Sequence, residues 1–442
     1  MQSSKIPELK LKIPDPVSKI LEVLKSSGYE AYIVGGCVRD ALLGRVPEDW
    51  DITTSALPQE VKKLFRNTVD TGIQHGTVMV ILEGAGYEVT TYRIDGPYMD
   101  SRHPSSVTFT RSLDEDLKRR DFTINAFAWD ENGLIDRFDG LSDLENRVIR
   151  CVGVPAERFE EDALRIMRAV RFSAQLGFEI EPETARMARC YADKLADISM
   201  ERIRVEWEKT LLSDHPCRVN RYAQLNMAPY IIKEQTEKCF DPANDPLLME
   251  LFGRRKEALR QGKDTERGRR LLMAAFFGSL TPEEADRAFR GLKYDNQTRQ
   301  AVVQILRFQD AELADDRILI KQQLNRMGEE TFFSVLELKE ARLSSGTERA
   351  TAVSGKVSAE LLDRIRKTAE DILETKEPFL ISHLAVSGND LIAAGVAPGK
   401  KIGDFLENIL QKVIQSPTLN RKEVLCNSKF LSEVEYECKN NL

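Results

Sequence analysis

The sequence predicts an α+β protein: a mixed-sheet domain over residues 1–152, then an all-helical remainder over residues 153–442. Short strand-like runs punctuated by glycines fill the first part. Beyond Val154 those runs vanish, and apolar residues recur every three or four positions, as in Leu164, Met167, Val170 and Ala174. A length of 442 residues, 42% of them hydrophobic, gives several domains with real cores.

In chain order, Ala31 to Val34 reads as a strand that runs into Gly35-Gly36, and Val38 to Leu43 as the start of a helix. Trp50 to Thr53 reads as a second strand. Thr77 to Leu82 and Glu88 to Tyr92 flank Glu83-Gly84-Ala85-Gly86, a hairpin signal. Asp95 to Thr110 carries Gly96, Pro97 and Pro104 with no periodicity and reads as one long loop. Leu134 to Phe138 is the last strand expected. Among the helices, Ile203, Trp207 and Leu211 mark one face. Breakers at Asp214–Pro216, Asp241–Pro246, Gly346–Gly355 and Ala397–Gly399, with a small-residue linker over Ser344–Ser358, divide the helical part into 153–215, 216–345 and 346–442.

Composition narrows the function. Lys and Arg total 64 against 71 Asp and Glu, a net charge of -7, which excludes a generally basic nucleic-acid coat but not a local basic groove. No apolar run approaches the ~20 residues of a membrane helix. The opening MQSSKIPELKLKIPDP lacks the apolar core of a secretory signal. The seven cysteines are scattered without a CxxC pair, as expected of reduced thiols in a cytoplasm. With four histidines, none near two cysteines at ligand spacing, no zinc site is expected.

The chemistry concentrates in five places. In Tyr32 to Ser55 a strand meets Gly35-Gly36 and then a helix, an arrangement that brings backbone N–H groups close to a phosphate. Arg39, one turn in, suits phosphate oxygens. Asp49 and Asp51 flank Trp50; in a strand the two share a face, and paired carboxylates repel unless a cation such as Mg²⁺ lies between them. Read alone, that pair is equally a solvated turn. Its position 13 residues after Gly36 favours the metal. Glu88 lies in a later strand, where spacing by itself favours a solvent-facing residue. Arg119-Arg120-Asp121 precedes an apolar turn; Arg120 suits a triphosphate and Asp121 a ribose hydroxyl, and a salt-bridged helix end is the plain alternative. Glu161-Asp162-Ala163-Leu164-Arg165 opens the first helix of the helical part, with Asp162, Arg165 and Arg168 on one face and Arg171 following. Arg and Asp on one face present fixed donors and acceptors to a base edge, though an amphipathic surface helix looks the same.

Taken in this order, the motifs resemble the class II tRNA nucleotidyltransferases, the CCA-adding enzymes of the polymerase β-like superfamily. The resemblance is strong from about residue 17 to 215 and returns in the tail over Leu384–Leu425, while 216–380 carries no matching motif. It implies a catalytic head, a helical neck, a body and a tail. It implies that Gly35, Gly36 and Arg39 contact the nucleotide triphosphate, that Asp49 and Asp51 hold Mg²⁺, and that Glu88 is the third carboxylate. Arg120 and Asp121 then hold triphosphate or ribose. Glu161, Asp162 and Arg165 match the family's EDxxR motif, whose Asp and Arg read the incoming base, and Arg168 and Arg171 match further nucleotide contacts. The stretch from Tyr92 to Pro104 resembles the family's flexible loop, with Asp95, Asp100 and Arg102 in place and His103 where a second Arg is common.

The expected reaction adds the 3′-terminal CCA to tRNA from CTP and ATP, with Mg²⁺ as cofactor. An enzyme adding only the final A, a poly(A) polymerase, and a catalytically silent RNA-binding module are the rivals. For the tRNA, Arg254–Arg270 offers eight cations against three anions, read equally as a phosphate-tracking surface or a solvated helix face.

Overall fold

The computed structural model describes residues 11–96, 107–233, 236–263, 266–347, 357–399 and 401–440. They form two compact units: Met1–Pro242 with Gly291–Lys293, and Ala243–Arg290 with Tyr294–Leu442.

The first unit is built on β1 (Ala31–Val34), β2 (Ile52–Thr54), β3 (Thr68–Gly72), β4 (Thr77–Leu82), β5 (Ala85–Thr91), β6 (Arg93–Asp95), β7 (Val107–Phe109), β8 (Phe127–Asp130), β9 (Gly133–Asp136), β10 (Val148–Ile149) and β11 (Glu179–Ile180). Seven of these make one sheet in the order β3-β4-β5-β2-β1-β8-β9. It is mixed, as expected: β2 and β5 run parallel and the other neighbours antiparallel. The β4–β5 hairpin turns on Glu83 and Gly84, both at positive φ (53° and 83°), with Leu82 opposite Ala85. Two left-handed residues give the turn whose twist matches the strands.

Four expectations are corrected. The stretch from Asp95 to Thr110 is not loop throughout: β6 and β7 pair at its ends, Arg93 with Phe109 and Asp95 with Val107. Strands β3 and β8 were not expected. Strand β3 is a largely exposed edge with no alternation, and β8 is buried along its whole length, so neither shows the period of two that marks a half-buried strand. Strand character also persists past Val154, where β11 pairs parallel with β10. Finally, Glu161 does not open a helix: it ends the Pro155–Glu161 helix, Asp162 is extended (φ −142°, ψ 104°), and a new helix runs Leu164–Leu176.

The Leu113–Lys118 helix starts at Ser112, whose hydroxyl accepts the Glu115 N–H. It buries Leu113 and Leu117 with Val34, Tyr92, Ala128 and Ile135. This packing delivers Arg120, just past the helix end, to the Gly35 turn.

The second unit is helical among its described residues, from Asp245–Arg260 to Ser428–Asn440. Its apolar residues fall into separate clusters. One gathers Phe308, Ile320, Leu324, Phe332, Leu336, Ile365 and Phe379, among others, and a second gathers Val386, Leu391, Ile409, Val413, Leu425 and Val434. Among the described residues, no helix is long and apolar enough to cross a membrane.

Candidate active site

The site begins at the end of β1. Gly35 has φ +82° and ψ −137°, a conformation open to glycine, and its N–H donates to the Phe127 carbonyl at 3.2 Å. A Cβ on Gly35 would lie 2.9 Å from Nη1 of Arg120 and 4.0 Å from Oδ2 of Asp51. The absent side chain is therefore what lets the guanidinium and the carboxylate close over the turn. Beside it, the Cys37 thiol is buried, donates to the Val34 carbonyl at 3.2 Å, and is pushed up to about 11 by burial.

The acidic group follows from strand register. Ile52 pairs with Val89 in the parallel β2–β5 ladder, so Asp51 and Glu88, one step back on each strand, are neighbours. Both are solvent-accessible, yet surrounding protein raises both carboxyls above their usual range. For Asp51, repulsion by Asp49 adds to burial and Arg120 opposes it. For Glu88, burial is joined by repulsion from Asp51 and Asp49. Asp51 thus feels the charge of Asp49, and Glu88 that of both. Among the described residues, no three His, Cys, Asp or Glu side chains converge as a closed metal set. Mutually repelling, water-accessible carboxylates are still the donors a hard divalent cation prefers, and such a cation relieves their repulsion.

A second layer holds the arginines. Asp116 is fully buried and accepts Arg119 Nε at 3.0 Å and Nη2 at 2.7 Å, Arg120 Nη2 at 3.5 Å and the Thr53 hydroxyl at 3.3 Å. Burial pushes its carboxyl up, but the two guanidiniums hold it below the usual carboxylate range. Nε of Arg120 is buried without a hydrogen-bond partner. Arg39 donates to Asn125 Oδ1 at 2.5 Å and to both oxygens of Asp40, at 2.9 and 2.8 Å. The Phe172 ring has the guanidiniums of Arg39, Arg168 and Arg171 within 5.0, 5.2 and 4.1 Å of its centroid, a cation–π cluster that fixes their spacing.

The remaining expected residues divide. Asp121 is buried and engaged: it accepts Asn125 Nδ2 at 3.1 Å and the Phe122 N–H at 2.8 Å, and pairs with Arg168 at 2.6 Å. Burial opposes its charge, but Arg168 and Asn125 hold the carboxyl well below the usual range. Glu161 accepts from Arg158 and, at 2.5 Å, from Arg165. Arg165 also donates to the Arg119 carbonyl at 2.8 Å, tying the Leu164–Leu176 helix to the arginine pair. Asp162 accepts the Leu164 N–H at 3.0 Å and Arg202 Nη2 at 2.9 Å. Arg171 is spent on Glu206 at 2.5 Å and Gln175 at 3.1 Å. The backbone of Asp95 lies in β6, and Asp100 and Arg102 lie outside the described residues.

Sequence reading missed Asp116, Asn125, Arg158 and Arg202. Asp116 had a signal, since it stands three and four residues before the arginines it orients. Arg202, 40 residues from Asp162, had none.

Comparison with known proteins places this geometry. The chain matches the poly A polymerase head domain over residues 31–150, the RNA- and SrmB-binding site of polymerase A over 177–239, and tRNA nucleotidyltransferase domain 2 over 268–428. The last of these reaches well into the stretch that shows no motif by eye. The CCA-adding enzyme of Levilactobacillus brevis is 40% identical over 407 residues, 92% of this chain and 95% of that one. That of Lactiplantibacillus plantarum is 60% identical over 198 residues, 45% of this chain and 49% of that one. The Bacillus stearothermophilus CCA-adding enzyme, solved in complex with CTP, superposes with a TM-score of 0.78 at 33% identity, covering 97% of this chain and 100% of that one. Identity sustained over nearly the whole of both chains, on the same sheet and helices, means that this chain belongs to the CCA-adding enzymes, the tRNA nucleotidyltransferases.

Proposed function

We propose that the site adds C, C and A in turn to the 3′ end of tRNA. The 3′-hydroxyl attacks the α-phosphorus of CTP or ATP, and pyrophosphate leaves. The observation that carries this is the closure of Arg120 and Asp51 over the bare Gly35 turn, which puts a phosphate-binding cation and a carboxylate at one point.

Asp49 and Asp51, with Glu88 beside them, are the residues that would hold Mg²⁺. When bound, that ion supplies charge neutralisation at the reacting phosphate and activates the attacking oxygen. The chain's own contribution is positional. Arg39, held by Asn125 and Asp40, and Arg120, held by Asp116, grip the triphosphate. The backbone at Gly35 and Gly36 lets it approach. Asp162 and Arg165 read the base edge in place of a template strand, and Arg168 and Arg171 fix that wall through Asp121 and Glu206. Phosphoryl transfer of this kind depends on positioning and electrostatics rather than covalent help.

By this reading, residues 1–152 are the catalytic head, 153–215 the base-reading neck, and 216–345 with 346–442 the body and tail that hold the tRNA. The basic stretch 254–270 contributes less charge than its composition suggests. Arg254 pairs with Glu250 and Glu340, and Arg269 and Arg270 pair with Glu266. Free thiols at Cys37, Cys151, Cys190 and Cys426 support a reducing, cytoplasmic setting.

The test is incorporation by purified protein with Mg²⁺ on tRNA transcripts ending at the discriminator base, at C and at CC, resolved to single nucleotides. Addition of C, C and A followed by a stop is expected. A long A tail, or addition of the final A alone, would overturn the complete reading.

A further inference from the structure

We propose that Arg202 is a positioning residue for base selection that acts through Asp162. The inference rests on the reading of Asp162 as the base-facing carboxylate. Arg202 stands in the first turn of the Met200–Leu211 helix. A cation there opposes the partial positive charge of the helix N-terminus, so the helix does not explain its presence. A partner does: Nη2 donates to Asp162 Oδ2 at 2.9 Å, while Nη1 is buried without a hydrogen-bond partner.

Asp162 is the extended residue between two helices: its N–H closes the first on the Arg158 carbonyl at 3.3 Å, and its carbonyl accepts the Arg165 N–H at 2.9 Å, so the backbone is anchored and the side chain is what remains to be fixed. Its other oxygen, Oδ1, accepts the Leu164 N–H at 3.0 Å. The carboxylate is therefore gripped from two elements, one bond to each oxygen, and rotation of the group breaks both. What remains is a fixed acceptor. Cytosine and adenine offer an exocyclic amine donor where uracil and guanine offer a carbonyl oxygen. An acceptor fixed at that point pairs with the first and repels the second, whereas a carboxylate that swings away from the base edge discriminates between neither. Selectivity thus depends on Arg202 although Arg202 does not touch the base.

The experiment measures kcat/KM for CTP and for UTP on tRNA ending at the discriminator base, using the full chain with Mg²⁺. The proteins are wild type, Arg202→Gln, Arg202→Lys, Asp162→Ala and the Arg202→Gln/Asp162→Ala double variant. Arg202→Gln is expected to lower the CTP-to-UTP ratio about tenfold or more, since loss of a positioning contact misplaces the reading group. Inhibition by pyrophosphate should not change, because Arg39 and Arg120 hold that end. Arg202→Lys, which keeps the charge but not the fork, should fall between wild type and Arg202→Gln. In the Asp162→Ala background, Arg202→Gln should lower the ratio no further.

An equal loss of CTP and UTP activity would assign Arg202 a merely structural role and overturn the inference. So would a further loss of ratio in the double variant. If Asp162→Ala leaves the ratio intact, the base-reading assignment itself fails and this inference with it. If Asp162→Ala collapses the ratio and Arg202→Gln does not, the inference alone fails. Should Arg202→Gln not fold, Arg202→Lys carries the test, and an unchanged ratio overturns the proposal.

Discussion

At the residue scale, the carboxylates divide by the direction in which the fold moves them. Asp51 and Glu88 are raised by burial and by their acidic neighbours, so they hold protons more tightly folded than unfolded. Their contribution to stability is therefore lost as pH rises from the ordinary carboxylate range through their raised values. A divalent cation reverses that loss. Mg²⁺ is expected to raise the thermal midpoint at pH 7.5 and much less at pH 4.5, with Asp51→Asn abolishing the difference; equal shifts at both pH values would remove these residues from the metal site. In the incorporation assay, Asp49→Asn and Asp51→Asn are each expected to cost about a thousandfold or more, while far-UV circular dichroism stays unchanged. Asp121 behaves oppositely. Its lowered carboxyl contributes stability above the ordinary range that is lost as pH falls. Removing it strands the partly exposed Arg168, so Asp121→Asn should destabilise by about 2 kcal/mol in urea unfolding. Gly36, Arg39, Asp49 and Asp51 stood out in the sequence as candidates by their spacing. Asp116 and Asn125 did not, because each acts by what it touches rather than by its own reactivity.

At the element scale, the sheet was legible where it alternates or turns, as in β4 and β5, and illegible where it is uniformly exposed or uniformly buried, as in β3 and β8. The same holds for the helix pair around Asp162. A run of good helix formers on both sides hid a break at Asp162, whose side chain accepts the Leu164 N–H two residues on, a local bond that competes with the helix. The strand-to-helix turn gives a direct test. In Gly35→Ala the new methyl meets the flexible end of Arg120, which can move aside, so the stability cost is mainly the left-handed backbone, about 1 kcal/mol. Activity should fall further than stability, and equally for CTP and ATP, because the displaced group serves the triphosphate. A fall confined to one nucleotide would return Arg120 to a structural role.

At the scale of the whole molecule, the helical unit has a core that does not respect the division near residue 345. One apolar cluster runs from Phe308 to Phe379, and the next starts at Val386. Sequence composition marked the small-residue stretch Ser344–Ser358 as a linker, yet one apolar cluster draws on residues from both sides of it. Between the two clusters stands Lys321, 2% exposed, which donates to the Ile414 carbonyl at 2.6 Å and pairs with Glu377 at 3.0 Å. Lys321→Ala leaves a buried carbonyl unsatisfied and should cost about 2 kcal/mol. The loss should appear as faster amide hydrogen exchange over 386–434 with little change over 308–343; uniform acceleration would mean that the clusters open together.

The thiol of Cys37 has a further use. Buried beside the phosphate turn and held protonated at neutral pH, it is closed to alkylating reagents while the head stays shut. Exposed Cys190 has no such shelter. Iodoacetamide in excess should therefore mark Cys190 first, and the much slower labelling of Cys37 then becomes a clock for the opening of the nucleotide turn, one that a bound triphosphate would stop.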